Sequence, residues 1–323
     1  MTAQTPRRLA LGAHVQGTGP LDFSFYADLA RTLERGRFDT LFIDEAPLDE
    51  RPRTEPLTLL AALALVTEHI GLAATATTTW HHPFPIARKL ASLDHLSGGR
   101  AGWNTVTSED ELHNRRADEF LQVVKALWDS FDDDAVIRDK AGARYYDPAG
   151  LHTPHHRGEH FSVRGPLNIS RPPQGHPVVF QAGSAEQGRE FAARHAEVLF
   201  TEVRELGAAQ AYYADVKARA VAAGRDPAHV LVWSSLTPFA APTETPERIA
   251  DHIETWFRAY AADGFHLAFP QQPGVAEEFV DDVIPLLQQR GLFRTEYEGT
   301  TLRENLGLPR PVAPARQLQE AGR

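Results

Sequence analysis

Short apolar runs alternate with amphipathic stretches along most of the chain. The apolar run at residues 9–15 predicts a strand, and residues 23–36 follow with apolar positions at helical spacing. Nearly continuous apolar runs are typical of strands buried on both faces of a parallel sheet. The predicted strands are residues 9–15, 38–43, 70–77, 100–106, 177–181, 197–201, 229–234 and 265–269. The predicted helices are residues 23–36, 55–68, 83–95, 117–131, 185–195, 206–223, 246–262 and 276–290.

This alternation predicts an α/β fold, a single (β/α)8 barrel. Eight such units in about 280 residues fit a closed barrel better than an open doubly wound sheet. The alternation is interrupted at residues 132–176, which are rich in Asp, Pro, Gly and His and predict an excursion containing a hairpin. We therefore expect one barrel domain at residues 1–308 and a polar, proline-rich tail at residues 309–323.

Composition narrows the function classes. The 323 residues are 42% apolar and 24% charged, which is ordinary for a globular protein. A net charge of −10 argues against a nucleic-acid partner, because there is no basic field to displace phosphate counterions. The chain has no Cys, so disulfides, thiolate metal sites and Cys nucleophiles are excluded. No signal peptide or long apolar span is evident, which favours a cytoplasmic protein without a membrane partner.

Polar residues gather where the predicted strands end. In a (β/α)8 barrel these carboxyl ends carry the active site. They are His14, then Asp44 and Glu45, then residues 75–82, then Asn104, Thr105, Thr107 and Ser108, then Gln181 and Ser184, then Glu202, and finally Ser234 and Ser235. Most of the set is neutral and hydrogen-bonding, without a carboxylate pair or a trio of metal ligands. The set therefore predicts a large, planar ligand and no metal site.

The segment after the fifth predicted strand has the features of an anion site. Gly183, Ser184 and Ala185 are small, and they precede a helix whose first N–H groups can bind a phosphate. Ser184 and Gln187 have the spacing of a capping box, so an ordinary capped helix is the alternative interpretation.

Two histidine-rich segments give different predictions. His81 and His82 follow the third strand in the turn TWHHPF and are candidate catalytic proton donors. The alternative there is a surface turn in which Trp80 covers a helix. The run HHRGEH at residues 155–160 lies between Pro154 and further loop residues, and its Gly158 disfavours a regular helix. We expect this second run to be a solvated loop away from the strand ends.

Residues 90–108, LASLDHLSGGRAGWNTVTS, closely resemble a sequence motif of the bacterial luciferase-like flavin monooxygenases. Within that family the chain is most similar to the branch of nitrilotriacetate and dibenzothiophene-sulfone monooxygenases. Further similar segments are residues 55–79, 123–142, 158–200 and 279–308. The resemblance therefore spans nearly the whole chain.

The resemblance implies a (β/α)8 barrel that binds FMN, with the reduced flavin supplied by a separate flavin reductase. Reduced flavin would react with O₂ to give a flavin hydroperoxide, which oxygenates a small organic substrate. Members of the family are commonly homodimers or homotetramers. Two alternatives remain open: a deazaflavin-dependent oxidoreductase on the same barrel, and a non-catalytic flavin-binding relative.

The resemblance also assigns roles to particular residues. Asp44 and Thr75 or Thr77 match positions around the flavin ring and ribityl chain, and Asn104 matches an asparagine that touches the flavin. Ser184 and Ala185, beside Gly183, fall where the family binds the phosphate, and His14 matches a histidine near the substrate. Thr107 adjoins Asn104 in the same motif and completes this predicted set.

The chain departs from the family in three places. The turn HHPF at residues 81–84 replaces an aromatic or polar residue that often follows the third strand in relatives. The segment after the WNTVTS motif is shorter here, and His113 stands in for a histidine that helps to hold the phosphate. Residues 236–246 replace a longer loop and helix that cover the active site in relatives. Such a cover excludes water from the reaction.

Overall fold

Eight parallel strands form a closed barrel in this computed structural model, which confirms the predicted fold class. The structure describes residues 7–15, 21–45, 54–106, 111–183, 186–241, 243–269 and 274–313. The barrel strands are β1 (Ala10–Val15), β2 (Thr40–Ile43), β3 (Gly71–Thr75), β4 (Ala101–Thr105), β7 (Val178–Ala182), β8 (Val198–Thr201), β9 (Leu231–Leu236) and β10 (Gly264–Phe269). Neighbouring strands follow one another in sequence, and β10 pairs with β1 to close the barrel.

Helices follow the strands and surround the barrel. They are α1 (Phe23–Arg35), α2 (Pro56–Leu63), α3 (Pro83–Leu96), α4 (Glu111–Trp128), α5 (Glu186–His195), α6 (Leu206–Ala222), α7 (Pro246–Arg258), α8 (Val275–Glu278), α9 (Ile284–Gln289) and α10 (Leu302–Asn305). A wide π turn at Phe279–Val283 joins α8 to α9. Among the described residues, no helix combines the length and the apolar character that crossing a membrane requires.

Helix α2 ends earlier than the predicted helix at residues 55–68. The buried guanidinium of Arg100 takes the carbonyl oxygens of Ala64 at 3.2 Å, Thr67 at 2.9 Å and Ile70 at 2.8 Å. These carbonyls accept hydrogen bonds from Arg100, which directly precedes β4, and not from the N–H groups of a further helical turn. A tertiary contact of this kind leaves no mark on the apolar periodicity, so the sequence overestimates the helix.

Large aromatic side chains fill the interior of the barrel. Phe42, Phe180, Phe200 and Trp233 pack there with ring centroids 5.3–5.9 Å apart. Gly12 leaves the space that Trp233 occupies: a Cβ on Gly12 would meet the Trp233 ring and would lie 2.6 Å from the Thr40 hydroxyl. Small residues on some strands are therefore needed for the aromatic residues on others.

The last described residues close the amino end of the barrel. Leu302, Leu306 and Leu308 are buried and belong to the interior cluster of the barrel strands. The N–H of Leu302 donates to the carbonyl of Gly99, just before β4, which fixes α10 at that end. The opposite, carboxyl end of the strands is the end at which the sequence predicts the site.

The excursion at residues 132–176 contains the predicted hairpin, formed by β5 (His156–Arg157) and β6 (Ser162–Val163). It packs on α4, where Glu119 accepts hydrogen bonds from the His156 ring at 2.8 Å and the Phe161 N–H at 2.9 Å. The Phe161 ring also contacts Arg116 and the edge of His82. Four of the six residues at positions 155–160 are exposed, as expected for a solvated loop, but the run is fixed to α4, which offers the hairpin a carboxylate and a cation.

Residues 309–313 run along the excursion. The guanidinium of Arg310 makes a paired contact with the Asp133 carboxylate at 2.8 and 2.5 Å, and Arg171 donates to the Pro311 carbonyl at 3.0 Å. The predicted division between barrel and tail at residue 308 stays a prediction, and residues 314–323 lie outside the described residues.

Candidate active site at the carboxyl end of the barrel

Four neighbouring strands direct predicted site residues into the barrel mouth. Alternate strand residues face the interior, and His14, Asp44, Thr75 and Asn104 all continue the inward positions of their strands. Thr75 and Asn104 are opposite each other in the register of β3 and β4. The barrel thus brings together residues that the sequence places after β1, β2, β3 and β4.

A chain of hydrogen bonds links three of these residues. The amide nitrogen of buried Asn104 donates to the Thr75 hydroxyl at 3.1 Å, and that hydroxyl donates to the Asp44 carboxylate at 3.4 Å. The chain fixes the orientation of the Asn104 amide, so its oxygen is the free end. This buried oxygen has no hydrogen-bond partner among the described residues. Buried polar atoms are usually paired, so this atom is a candidate for a ligand contact.

His14 lies beside this chain on a second histidine. Its ring is stacked on the ring of His266 of β10, with centroids 4.4 Å apart and an angle of 12° between the planes. Burial lowers the pKa of His14 and outweighs the nearby Asp44 carboxylate, which acts to raise it. His14 is therefore largely neutral near pH 7.

His266 is the site residue that the sequence analysis missed. It is buried between Phe42 at 5.3 Å and Phe200 at 4.4 Å, and burial, helped by the charge of His14, moves its pKa well below the usual value. The available signal was a polar residue at an inward position of the apolar run GFHLAF. Only closure of the barrel places this run beside β1.

The turn after β3 is held by an acidic residue. Glu45 accepts hydrogen bonds from the Thr77 N–H at 2.8 Å and from the His81 ring at 2.9 Å. Burial acts to raise the pKa of Glu45, but the hydrogen bonds from His81 and Thr77 outweigh it, so the pKa is lowered. Arg116 of α4 donates to the carbonyls of Thr78 and His81. Thr77 and His81 therefore belong to a braced turn beside the mouth.

His82 and Trp80 lie at the surface of the same turn. His82 is exposed at the start of α3, and Trp80 is 58% exposed, so this part of the turn resembles the alternative interpretation. Among the described residues, no contact joins His81 or His82 to His14. The predicted catalytic histidines thus fall into two groups, His14 inside the mouth and His81 with His82 at its side.

The predicted phosphate end is described only in part. Gly183 follows β7, and its carbonyl accepts a hydrogen bond from the Tyr212 hydroxyl of α6 at 2.7 Å. A Cβ on Gly183 would lie 3.2 Å from the Gly188 Cα, so strand and helix approach closely here. His113 lies exposed near the start of α4. Thr107, Ser184 and Ala185 lie outside the described residues.

The mouth combines hydrogen-bonding side chains with the buried imidazole of His266 and the half-buried imidazole of His14. Among the described residues, no three His, Asp or Glu side chains are grouped as metal ligands. Such a set suits a ligand with several hydrogen-bonding edges and a reaction that moves protons. A closed parallel barrel with its polar residues at the carboxyl ends of the strands is the arrangement of the (β/α)8 enzymes.

Comparison with known proteins identifies the family. The profile of the luciferase-like monooxygenase family matches residues 8–290, so the chain belongs to that family, as the sequence motif predicts. It is similar to N-acetyl-S-(2-succino)cysteine monooxygenase of Bacillus subtilis (strain 168), with 37% identity over 95% of this chain and 98% of the relative. It is also similar to nitrilotriacetate monooxygenase component A of Aminobacter aminovorans, with 38% identity over 90% of this chain and 91% of the relative.

A solved structure agrees with this assignment. Riboflavin lyase, solved with modified FMN and riboflavin, has a TM-score of 0.87 and 27% identity, over 94% of this chain and 97% of that chain. The alignment with the Bacillus subtilis relative extends over 431 positions, far more than the 323 residues present here. Many of its positions therefore lie opposite gaps in this chain, and the places of the two predicted shortenings stay a prediction.

Proposed function

We propose that this protein is an FMN-dependent monooxygenase that uses reduced flavin from a separate reductase, together with O₂, to oxygenate a small organic substrate. The observation that carries the proposal is the linked set Asn104, Thr75 and Asp44 beside the half-buried ring of His14. The set lies in the mouth of a barrel that belongs to a family of monooxygenases.

The ring end of FMN fits the polar atoms of the mouth. The flavin ring carries N–H and carbonyl groups along one edge, and the buried Asn104 oxygen is an acceptor without a partner among the described residues. The Thr75 hydroxyl and the Asp44 carboxylate continue the same line of hydrogen-bonding groups toward the more exposed rim. In this arrangement Asn104 orients the ring, and Thr75 with Thr77 lies along the ribityl chain.

The phosphate end of FMN fits the turn after β7. Gly183 has no side chain, and the Tyr212 hydroxyl holds its carbonyl, so the backbone can approach a bound group closely. Helix α5 begins three residues later, and the free N–H groups at its amino end favour the binding of an anion. We place the phosphate at Gly183, Ser184 and Ala185, with His113 as an additional contact.

The protein's own residues supply position and proton exchange. When bound, reduced flavin would supply the electrons that activate O₂, while the barrel would hold and orient the ring. His14 is half-buried and mostly neutral near pH 7, so it can accept a proton and return it. We assign His81 and His82 a secondary proton-relay role at the side of the mouth.

The proposal includes a transient partner. One relative is called component A, which supports a second component, and we infer that this second component is a flavin reductase working with the chain in the cytoplasm. We further infer a homodimer or homotetramer, because the family that the chain belongs to commonly forms them. Sedimentation velocity tests this inference, and a single-chain mass would contradict it.

Binding of reduced FMN under anaerobic conditions tests the cofactor placement. Asn104→Ala removes the unpartnered oxygen and the donor to Thr75, so we expect the Kd for FMN to rise about tenfold, roughly the worth of one buried hydrogen bond. Thr105→Val is the matched control, because Thr105 is the next residue, faces away from the mouth and bonds Gln181 at 2.8 Å. We expect its Kd to stay within about twofold.

The same titration separates the alternatives. Tighter binding of a deazaflavin than of FMN would contradict the proposal in favour of a hydride-transfer enzyme. Oxygen uptake with a reductase, NADH and a panel of small organic substrates then tests the reaction. Flavin binding that yields only peroxide with every substrate would favour a non-catalytic relative.

A further inference from the structure

The barrel encloses two histidines that only the closing of the sheet brings together. His14 and His266 stand on β1 and β10, which pair in parallel at the seam of the barrel. Their rings are almost parallel, at 12°, with centroids 4.4 Å apart. The Nδ1 atoms of both rings are buried and have no hydrogen-bond partner among the described residues. Two such atoms side by side are rare in a protein interior unless a ligand uses them.

The surroundings of the pair contain few other charges. The aromatic rings of Phe42 and Phe200 cover His266. Among the described residues, the charged groups that act on the two rings are Asp44, directly after β2, which acts on His14, and His14 itself, which acts on His266. The segments that follow β1 and β10, QGTGP and PQQP, contain no titratable side chain. His14 is therefore the charged group that most affects the protonation of His266.

Stacked imidazoles at this distance do not both take up the second ring proton that makes an imidazole positively charged. Like charges in contact strongly disfavour the second protonation, so such a pair titrates as a unit. The proton that charges the pair belongs on His14, because the Asp44 carboxylate lies on that side, whereas His266 lies among aromatic rings. His266 then remains neutral and keeps the His14 ring in a fixed plane.

We propose that His14 and His266 form a one-proton pair, in which His14 exchanges the proton with the bound substrate and His266 is its positioning residue. This inference rests on the proposed function, which it deepens. Monooxygenation converts substrate, reduced flavin and O₂ into oxygenated substrate, oxidised flavin and water. The hydrogens of that water come from the reduced flavin, so His14 accepts a proton and returns it in the same turnover without net consumption.

Histidine titration in the flavin-free protein tests the pair directly. Protein labelled with ¹⁵N-histidine is followed by NMR between pH 5 and 8, and the two signals are assigned with His14→Asn and His266→Phe. We expect the wild-type His266 signal to remain neutral over this range. In His14→Asn the neighbouring charge is gone, so the pKa of His266 rises toward its usual value, although burial still acts to lower it. His229→Asn, before β9 at the opposite end of the barrel, leaves both signals unchanged.

Activity measurements test the positioning role. His14→Asn lowers kcat by about a hundredfold, the usual worth of a general acid or base. His266→Phe keeps a stacked ring and retains kcat within about threefold, whereas His266→Ala removes the ring and lowers kcat about tenfold with little change in KM. Rescue by Phe over Ala is an effect that a proton-donating His266 would not show.

The outcomes are distinguishable. A pKa of His266 that does not move in His14→Asn overturns the pair, even if substrate oxygenation is intact. Coupled titration in a protein that oxygenates no substrate contradicts the proposed function and leaves the pair standing. Equal losses of kcat in His266→Phe and His266→Ala overturn the positioning role.

Discussion

At the scale of single residues, the barrel depends on small residues that make space for large side chains, and its mouth contains buried polar atoms without a hydrogen-bond partner among the described residues. The amide nitrogen of Asn104 donates a hydrogen bond to Thr75, and its amide oxygen has no partner among the described residues. Trp233 occupies the barrel interior only because Gly12 has no Cβ. Function and packing are therefore set by adjacent residues of the same strands.

The space over Gly12 gives a residue-scale prediction. Gly12→Ala would place a methyl group against the Trp233 ring and 2.6 Å from the Thr40 hydroxyl, so we expect a loss of about 2 kcal/mol in the free energy of unfolding. Urea unfolding measures the loss. Gly207→Ala in the first turn of α6 is the control, since its Cβ would meet only the Glu205 side chain at 3.4 Å or beyond. A Gly12→Ala protein as stable as that control would contradict the packing argument.

The sequence could predict much of the site but not its full content. Asp44, Thr75 and Asn104 could be found because each follows an apolar run, and the alternation of strand residues gives them one direction. His266 could not, because its partner His14 is at the other end of the sequence and the two meet only when the barrel closes. Nor could the bond of His81 to Glu45, since it joins two separate turns.

At the scale of elements, connections outside the barrel layer support the mouth. The β5–β6 hairpin packs on α4, and α4 in turn holds the turn after β3 through Arg116. The sequence predicts the hairpin from its composition, but the docking of its His156 on Glu119 depends on tertiary contacts. Helix lengths show the same limit, because Arg100 ends α2 from a distance.

The contact of Arg310 with Asp133 gives an element-scale prediction on pH. The hydrogen bond from Arg310 lowers the pKa of Asp133 from 3.8 to about 2. A lowered pKa means that the ionised carboxylate favours the folded state, so this contribution is complete above pH 3.8 and declines as the pH falls toward 2. Both side chains are partly exposed, at 29% and 43%, so solvent screening limits it to about 1 kcal/mol.

Arg310→Gln tests this contribution. We expect the variant to be less stable than the wild type at pH 6 in urea unfolding, and the difference to shrink at pH 3. Arg258→Gln is the control, because Arg258 makes an exposed pair with Glu254 on the same helix. A difference between wild type and Arg310→Gln that grows toward acid pH would contradict the sign.

At the scale of the whole molecule, the two ends of the barrel serve different purposes. Leu302, Leu306 and Leu308 close the amino end with apolar contacts, whereas the carboxyl end brings together Asn104 Oδ1 and the Nδ1 atoms of His14 and His266, which have no partner among the described residues. The overall alternation of strands and helices is a sequence-level property, so the barrel could be predicted. The closure by α10 could not, because its few apolar residues show no periodicity that identifies a partner.

This chain is shorter than its relatives but keeps all eight strands of the barrel. Relatives align over many positions that this chain lacks, while the strands that carry His14, Asp44, Thr75 and Asn104 are all present. The residues that we propose to hold the flavin ring therefore lie on the barrel strands or directly after them.

A crystal structure of the protein with FMN tests the central claim most directly. The account predicts the flavin ring within hydrogen-bond distance of the Asn104 oxygen, its ribityl chain along Thr75, and its phosphate at the turn after Gly183. It also predicts the His14 ring, still stacked on His266, facing the ring of the flavin. FMN bound elsewhere, or a mouth filled by Trp80 or His82 with no flavin in it, would contradict the account.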